Sequence, residues 1–480
     1  MKILFIFPPK KTHAIESAGF YKKLDKESGL YPPLGILYVA SYLKKYSEHC
    51  VEIIDAPAEN YDFQDIEKEI IKRKPDVVGI YFCTDYLLDS FKTAAIVKRV
   101  NSKIAVIAGG PHIYIYPQET ISNPNVDYCI YGEGEIVLTN LIEALFSCKS
   151  PEKIEGVISK NNTAKKQELQ KTENLDKLPF PDRKLLPYTK YKSFITYSNP
   201  ITTMMTSRGC AYNCHFCTNI ERGQRVRMRS PRNVVDEIEE ILRIGIRDIL
   251  FFDENFTYNM ERVRLICEEI INRKIKIRWH CRSRADMKFE KEVLKKMKDA
   301  GCRMVQLGIE TGTQNLQERI NKKLNLEKVK QLVKDLKNSG ILSYGNFIIG
   351  FPGESKKEML QTITFAMEAG FDYAPFSIFN PLPISYFYTS ALQKGIIKDD
   401  YWMKYAKNPE KQVIHSWWPE QDFQMLQEIS AQAFRMFYFR IGQILKLFFL
   451  KQSIRQKWWQ LKSAVKLFVI PKVIKASKKI

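Results

Sequence analysis

Apolar and polar positions fall into two alternating blocks along the 480-residue chain. In the first block, KILFIF, CVEIIDA, DVVGIYF, KIAVIAGG and YCIYG are short, nearly continuous apolar runs. Between and after them lie PPLGILYVASYLKKY, FQDIEKEIIKR, LLDSFKTAAIVKRVN and EIVLTNLIEAL, whose apolar positions recur at helical spacing. Apolar strands separated by helices predict a parallel sheet covered on both faces. Residues 1–150 are therefore expected to form a doubly wound α/β domain. Residues 151–199 are more polar and read as a linker with some strand content. In residues 200–395 the alternation returns, with ITTMMTS, DILFFDE, IRWHCRS, MVQLGIE, SYGNFIIGF and YAPFSIF as strands. Six βα units predict a barrel, complete or partial. Residues 396–480 lose the strand pattern and read as helical.

Composition narrows the setting. No apolar run approaches the ~20 residues that span a bilayer. MKILFIFPPKK has too short an apolar stretch and no small-residue cleavage site, so it reads as a first strand rather than a signal peptide. Seven of the ten cysteines are scattered and only three are clustered, which is no disulfide framework. A reducing, cytoplasmic location is expected. The formal net charge is +21, and its distribution is uneven. From Ile429 to Ile480 there is no Asp or Glu, and twelve Lys and Arg are present.

The clustered cysteines are Cys210, Cys214 and Cys217, in SRGCAYNCHFCT directly after the strand ITTMMTS. A loop after a barrel strand is where active sites sit. Three thiolates can hold three corners of a [4Fe–4S] cluster and leave one iron open. Electron-transfer clusters ordinarily use four cysteines. The alternatives are a structural zinc site, with His215 as a strained fourth ligand, or unrelated buried cysteines.

CxxxCxxC after the first barrel strand resembles the signature of the radical SAM enzymes. That resemblance implies that the open iron binds S-adenosylmethionine, which one electron cleaves to a 5′-deoxyadenosyl radical. It also implies a one-electron donor of the flavodoxin or ferredoxin type. The likeness continues strand by strand. LFFDENF resembles the segment that meets the SAM amino group, which implies that role for Asp253 and Glu254. RSRAD resembles an Arg-x-Asp step and implies a carboxylate contact for Arg284. QLGIETG resembles Gly-Ile-Glu-Ser and places Glu310 near the ribose. GNFIIGFPGE resembles the segment on adenine, implying Ile349 and Gly350. At the sixth strand the chain departs: Ile384 and Ser385 in NPLPIS stand where relatives have Gly-Thr.

In the first block, AGGPH and YGEGE lie at strand ends, where doubly wound sheets bind ligands. Gly109, Gly110, Gly132 and Gly134 would let backbone approach a large ligand closely. There is no GxGxxG after the first strand, which argues against a dinucleotide. The layout of PPLG, GGPH and GEGE, followed by LPFPDRKLL, resembles the Rossmann-like cobalamin-binding domain found before many radical SAM barrels. No Asp-x-His-x-x-Gly motif is present, so cobalamin without a His ligand is expected, with Thr84 and Asp85 covering its lower face. His112 lacks such a context.

The resemblance implies a cobalamin-dependent radical SAM enzyme that methylates an unactivated carbon of a small molecule. FRMFYFRIG adds a likeness to proteins near the anaerobic magnesium-protoporphyrin IX monomethyl ester cyclase, so oxidative cyclisation of a tetrapyrrole is a second reading. The aromatic, basic tail suggests a lipid, polyprenyl or tetrapyrrole substrate and peripheral contact with the inner membrane face. Packing on the barrel is expected for residues 400–445, and nucleic acid is the disfavoured partner. A non-catalytic membrane or nucleic-acid binding protein with a structural cluster is the third reading.

Overall fold

The computed structural model describes residues 1–15, 29–162, 168–219, 223–409, 422–449 and Lys457. The chain sorts into two compact units, each built from separate segments. The first comprises Met1–Ile15, Pro32–Lys190 and Tyr388–Ile414. The second comprises Glu16–Tyr31, Tyr191–Phe387 and His415–Ile480.

The first unit holds a six-stranded sheet of β1 (Lys2–Phe7), β2 (Cys50–Asp55), β3 (Val77–Tyr81), β4 (Ala105–Gly109), β5 (Tyr128–Ile130) and β6 (Val157–Ser159). Its order is β2-β1-β3-β4-β5-β6. All neighbours are parallel except β5 and β6. The antiparallel β6 comes from the stretch that reads as a linker. Helices α1 (Leu34–Tyr46), α2 (Phe63–Arg73), α3 (Leu87–Val100) and α4 (Gly134–Phe146) provide the crossovers. Asp62 caps α2 in a reciprocal box with Asp65, which satisfies two of its first amides. Because the chain leaves β1 toward β2 and returns to β3 on the other side, the sheet switches direction between β1 and β3. A crevice forms outside the carboxyl ends at such a point.

The second unit is an open arc of six parallel strands in sequence order: β7 (Ile201–Met204), β8 (Asp248–Phe251), β9 (Arg278–Arg284), β10 (Cys302–Glu310), β11 (Leu342–Ile349) and β12 (Phe376–Ile378). The partial barrel is therefore the form adopted. Its crossover helices include α5 (Pro231–Arg243), α6 (Met260–Asn272), α7 (Lys291–Asp299), α8 (Gln314–Arg319), α9 (Leu326–Asn338) and α10 (Lys356–Glu368). Ser230 with Pro231, Asn259, Asn325 and Ser355 start four of them with side-chain caps. The core is aromatic: Trp279 meets Phe251 and Phe256, whose rings stack 4.7 Å apart. Helix α11 (Phe423–Tyr438) lies along the outer edge of β12. There Ser430 Oγ donates to Phe376 O at 3.1 Å, and Ala374 N donates to Tyr438 Oη at 3.0 Å. Helix α12 (Ile441–Phe449) follows. Among the described residues, no helix is long and apolar enough to cross a membrane.

Two glycines at crossover ends test how tightly the arc is folded. Both have positive φ, Gly245 at 85° and Gly301 at 96°. A Cβ on Gly245 meets open space, whereas one on Gly301 would sit 2.1 Å from Ile277 O, just before β9. Gly245→Ala should cost about 1–2 kcal/mol of left-handed strain. Gly301→Ala should cost clearly more, read as the lower midpoint in chemical denaturation of the two variants.

Candidate active site

The barrel strands end in a set of buried polar groups, and the first of them shapes the cysteine loop. Beyond β7 the backbone leaves the barrel sheet, with only a short antiparallel ladder of Ser207–Arg208 on Arg227–Met228, so the amides and carbonyls of the turn need other partners. Asp253, fully buried after β8, accepts from Thr206 N at 2.8 Å, Ser207 Oγ at 2.7 Å, Ser207 N and Thr206 Oγ1. Burial pushes its carboxyl up, while the Arg262 charge and these donors oppose the shift. From α6, Arg262 donates to Thr206 O at 2.8 Å and to Arg229 O at 2.8 Å. Arg229 donates to Met205 O at 3.0 Å and pairs with the fully buried Glu237 of α5. Two cations and two anions thus hold Met205–Ser207, three residues ahead of Cys210. Both Asp253 oxygens are committed to Thr206 and Ser207. Its neighbour Glu254 is exposed; burial raises the thiols of Cys210 and Cys217, and the Glu254 charge adds to that rise.

Cys214 is buried, and Cys210 and Cys217 are half-buried. Burial pushes the Cys217 thiol up to about 11, opposed by the Asn219 N–H, which donates to its Sγ at 3.3 Å. Iron must displace these protons on binding. His215 does not complete a four-ligand set. Its Nδ1 lies 2.9 Å from Arg319 O, and its ring stacks on Tyr386 with centroids 4.1 Å apart. Among the described residues, no three His, Cys, Asp or Glu converge on one ion. Three separated thiols on one loop, with N–H donors aimed at two sulfurs, suit a cubane cluster, whose cysteines each bind a different iron.

The remaining strand ends surround this loop. Arg284, at the end of β9, donates to Cys214 Sγ at 3.5 Å and pairs with Asp286. Glu310 ends β10 at φ 71° and forms a buried ion pair with Lys322. A Cβ on Gly308 would lie 2.7 Å from both Glu310 Oε1 and Lys322 Nζ, so any larger residue there displaces the tips of this pair. Ile349 is fully buried, and the Gly350 N–H donates to Glu354 at 2.6 Å. After β12, Ile384 adopts φ 60°, the left-handed region that glycine enters without cost. Ser385 fastens this turn through Oγ to Leu382 O at 2.7 Å. The departure from Gly-Thr therefore keeps the turn and adds strain to it.

In the first unit, the loops after β1 and β3 flank the switch crevice. Asp85 accepts from His13 at 2.8 Å and from Ile15 N at 3.3 Å. Thr84 Oγ1 lies 2.9 Å from Nδ1 of His112. His112 is fully buried, burial pushes its pKa down to about 3, and its Nε2 has no hydrogen-bond partner among the described residues. An orphaned buried nitrogen beside the crevice suits a large ligand edged with amides, as cobalamin is. A Cβ on Gly109 meets open space. Gly110 and Gly132 have φ of 118° and 117°, and a Cβ there would lie 2.6 Å from Phe82 O and from Gln170 N. Gly134 faces Val39 at 3.0 Å. Close approach within the chain itself thus accounts for Gly110 and Gly132.

Sequence reasoning missed His13, Arg229, Glu237, Arg262 and Lys322, and gave the Asp of its Arg-x-Asp step, Asp286, no role. His13 carried a positional signal, lying just past the first strand. The buried arginines carried none, because arginine at helical spacing reads as surface.

Residues 204–366 match the Radical SAM superfamily, and residues 25–142 match the B12 binding domain family. An uncharacterized methyltransferase of Pyrococcus horikoshii is 34% identical, covering 95% of this chain and 97% of its own length. The anaerobic magnesium-protoporphyrin IX monomethyl ester cyclase of Rubrivivax gelatinosus is 29% identical over 80% of this chain and 69% of its own. In fold, the radical S-adenosylmethionine methyltransferase TsrM from Kitasatospora setae superposes with a TM-score of 0.63 at 20% identity, covering 81% of this chain and 76% of that one. The chain belongs to the radical SAM superfamily, in the group that carries a B12-binding domain. It is a cobalamin-dependent radical SAM enzyme whose cofactors are a [4Fe–4S] cluster, S-adenosylmethionine and cobalamin.

Glu354 gives the site a pH signature. Burial raises its carboxyl to about 7, against N–H donors from Phe351 and Gly350. The folded chain then binds more protons than the unfolded one between about 4.5 and 7. Stability contributed by protonated Glu354 should be lost as pH rises through that window. Denaturation midpoints across it should fall less in Glu354→Gln than in the parent.

Proposed function

We propose that this enzyme transfers a methyl group to an unactivated carbon of a small substrate. The observation that carries this reading is the pairing of the two family matches in one chain with its 34% identity, over nearly full length, to a methyltransferase. Cys210, Cys214 and Cys217 hold the cluster. Glu254 meets the SAM amino group, and Asp253 positions the cysteine loop. Glu310, set by Lys322, lies toward the ribose, with Ile349 and Gly350 toward adenine. Thr84, Asp85, His112 and Gly109 face cobalamin, while Gly110, Gly132 and Gly134 shape the loops around it. Bound there, the cluster supplies the electron that splits SAM, and cobalamin supplies the methyl group. The chain's own task is orientation and exclusion of water.

Anaerobic reconstitution with reductant, SAM and cobalamin should yield 5′-deoxyadenosine, and Cys214→Ala should abolish it. A product gaining one methyl supports this reading. A product that loses hydrogens and closes a ring, with no methyl gained, would establish the cyclase reading instead. No 5′-deoxyadenosine in the parent, with Cys214→Ala altering only stability, leaves the non-catalytic reading.

A lipid-like substrate and contact with an anionic membrane are part of the proposal. Lys446 pairs with Asp372 at 2.7 Å, and Gln443 donates to Asp372 O at 2.7 Å, so one side of α12 is pinned to the barrel unit. Ile441, Leu445 and Phe449 remain 79%, 51% and 73% exposed. The basic residues of the tail beyond, Lys457 apart, fall outside the described residues, and their number favours anionic headgroups. The full chain should float with phosphatidylglycerol vesicles and not with phosphatidylcholine, and Ile441→Asp with Phe449→Asp should weaken flotation at least several-fold. Equal recovery with both vesicles would refute this contact.

A further inference from the structure

We infer that Arg284 and Asp286 form a charge pair that sets the reduction potential of the cluster through Cys214. The inference rests on the cysteine assignment above and assigns Arg284 a different task from the SAM carboxylate contact that its motif implies.

The guanidinium has five N–H donors. Nε donates to Asp286 Oδ1 at 2.9 Å, and Nη2 donates to Asp286 Oδ2 at 2.7 Å. Nη2 also donates to Lys322 O at 2.8 Å, and Nη1 donates to Cys214 Sγ at 3.5 Å. Its face lies 3.7 Å above the ring centroid of Tyr212, within the cysteine loop. Four of the five donors are therefore committed to the protein. Arg284 is only 8% exposed, so its charge is poorly screened by water. The group is fixed against a cluster thiolate, in a fork that cannot turn away without breaking the Asp286 pair.

A cluster that accepts one electron from an external reductant gains negative charge. Hydrogen bonds and positive charge at a ligating sulfur favour that reduced state and raise the potential. Asp286 opposes the Arg284 charge while holding its orientation. The two residues are positioning and tuning groups, and their removal must act in opposite directions. Loss of Arg284 removes the donor and the cation, which lowers the potential. Neutralising Asp286 leaves the cation less compensated, which raises it.

The test is a redox titration of the anaerobically reconstituted full chain without SAM, using dithionite and mediators. The readout is the electron paramagnetic resonance signal of the reduced cluster. Arg284→Gln should shift the midpoint to more negative values, Arg284→Lys should shift it less, and Asp286→Asn should shift it to more positive values. Should Arg284→Gln fail to hold iron, Asp286→Asn decides alone. Midpoints equal to the parent, or shifts of the same sign in both variants, overturn the inference while leaving the cysteine assignment intact. A parent chain that takes up no cluster overturns both.

Discussion

The second unit depends on the two oxygens of Asp253. Where β7 stops, the chain must turn away from the sheet and still satisfy its amides in the dry interior of the barrel. Asp253 takes the Thr206 and Ser207 amides and both hydroxyls, and Arg262 and Arg229 take the carbonyls of Thr206 and Met205. An uncompensated charge at this depth would cost several kcal/mol. Here two arginines meet Asp253 and Glu237, so the group is neutral as a whole. Such a network stabilises little compared with an apolar core of equal volume, yet it allows only one path for the loop. That is the property a cluster site needs, since thiols displaced by an ångström would no longer match the irons.

The same economy recurs at the other strand ends. The ends of β9 and β10 each carry a charged group held by a second one: Arg284 by Asp286, and Glu310 by Lys322. Two of the non-glycine residues with positive φ, Glu310 and Ile384, also lie there or just beyond. Strain of this kind persists only where surrounding contacts over-determine it. Lys322 shows how: its side chain pairs with Glu310 and its carbonyl accepts from Arg284.

The architecture was legible because it is written in periodicity. Near-continuous apolar runs such as DVVGIYF are buried on both faces, as the strands of a parallel sheet under helices are. The cysteine loop was legible from spacing and from its place after a strand. What escaped was partnership. Asp253 and Glu254 are neighbours in sequence, and nothing in LFFDENF says that one is sealed beneath the loop while the other is exposed. Gly110 and Gly132 resemble ligand-facing glycines, yet the close approach there is to Phe82 and Gln170. Arg229 and Arg262 sit on or beside helices at positions that ordinarily face water, and their burial is decided by carbonyls distant in the chain.

The edge of β12 carries a wider meaning. A closed barrel completes its circumference with further strands, and each one fixes the width of the interior. Here the circuit ends in hydroxyls and a helix: Ser430 reaches Phe376, and Tyr438 receives Ala374. Side-chain bonds of this sort tolerate exchange of the element that makes them, as a strand ladder would not. The outer edge of β12 is thus covered by an element that side chains, not a ladder, hold in place. The sequence of α11 can therefore vary while the strand-end residues around the cysteine loop keep their own partners.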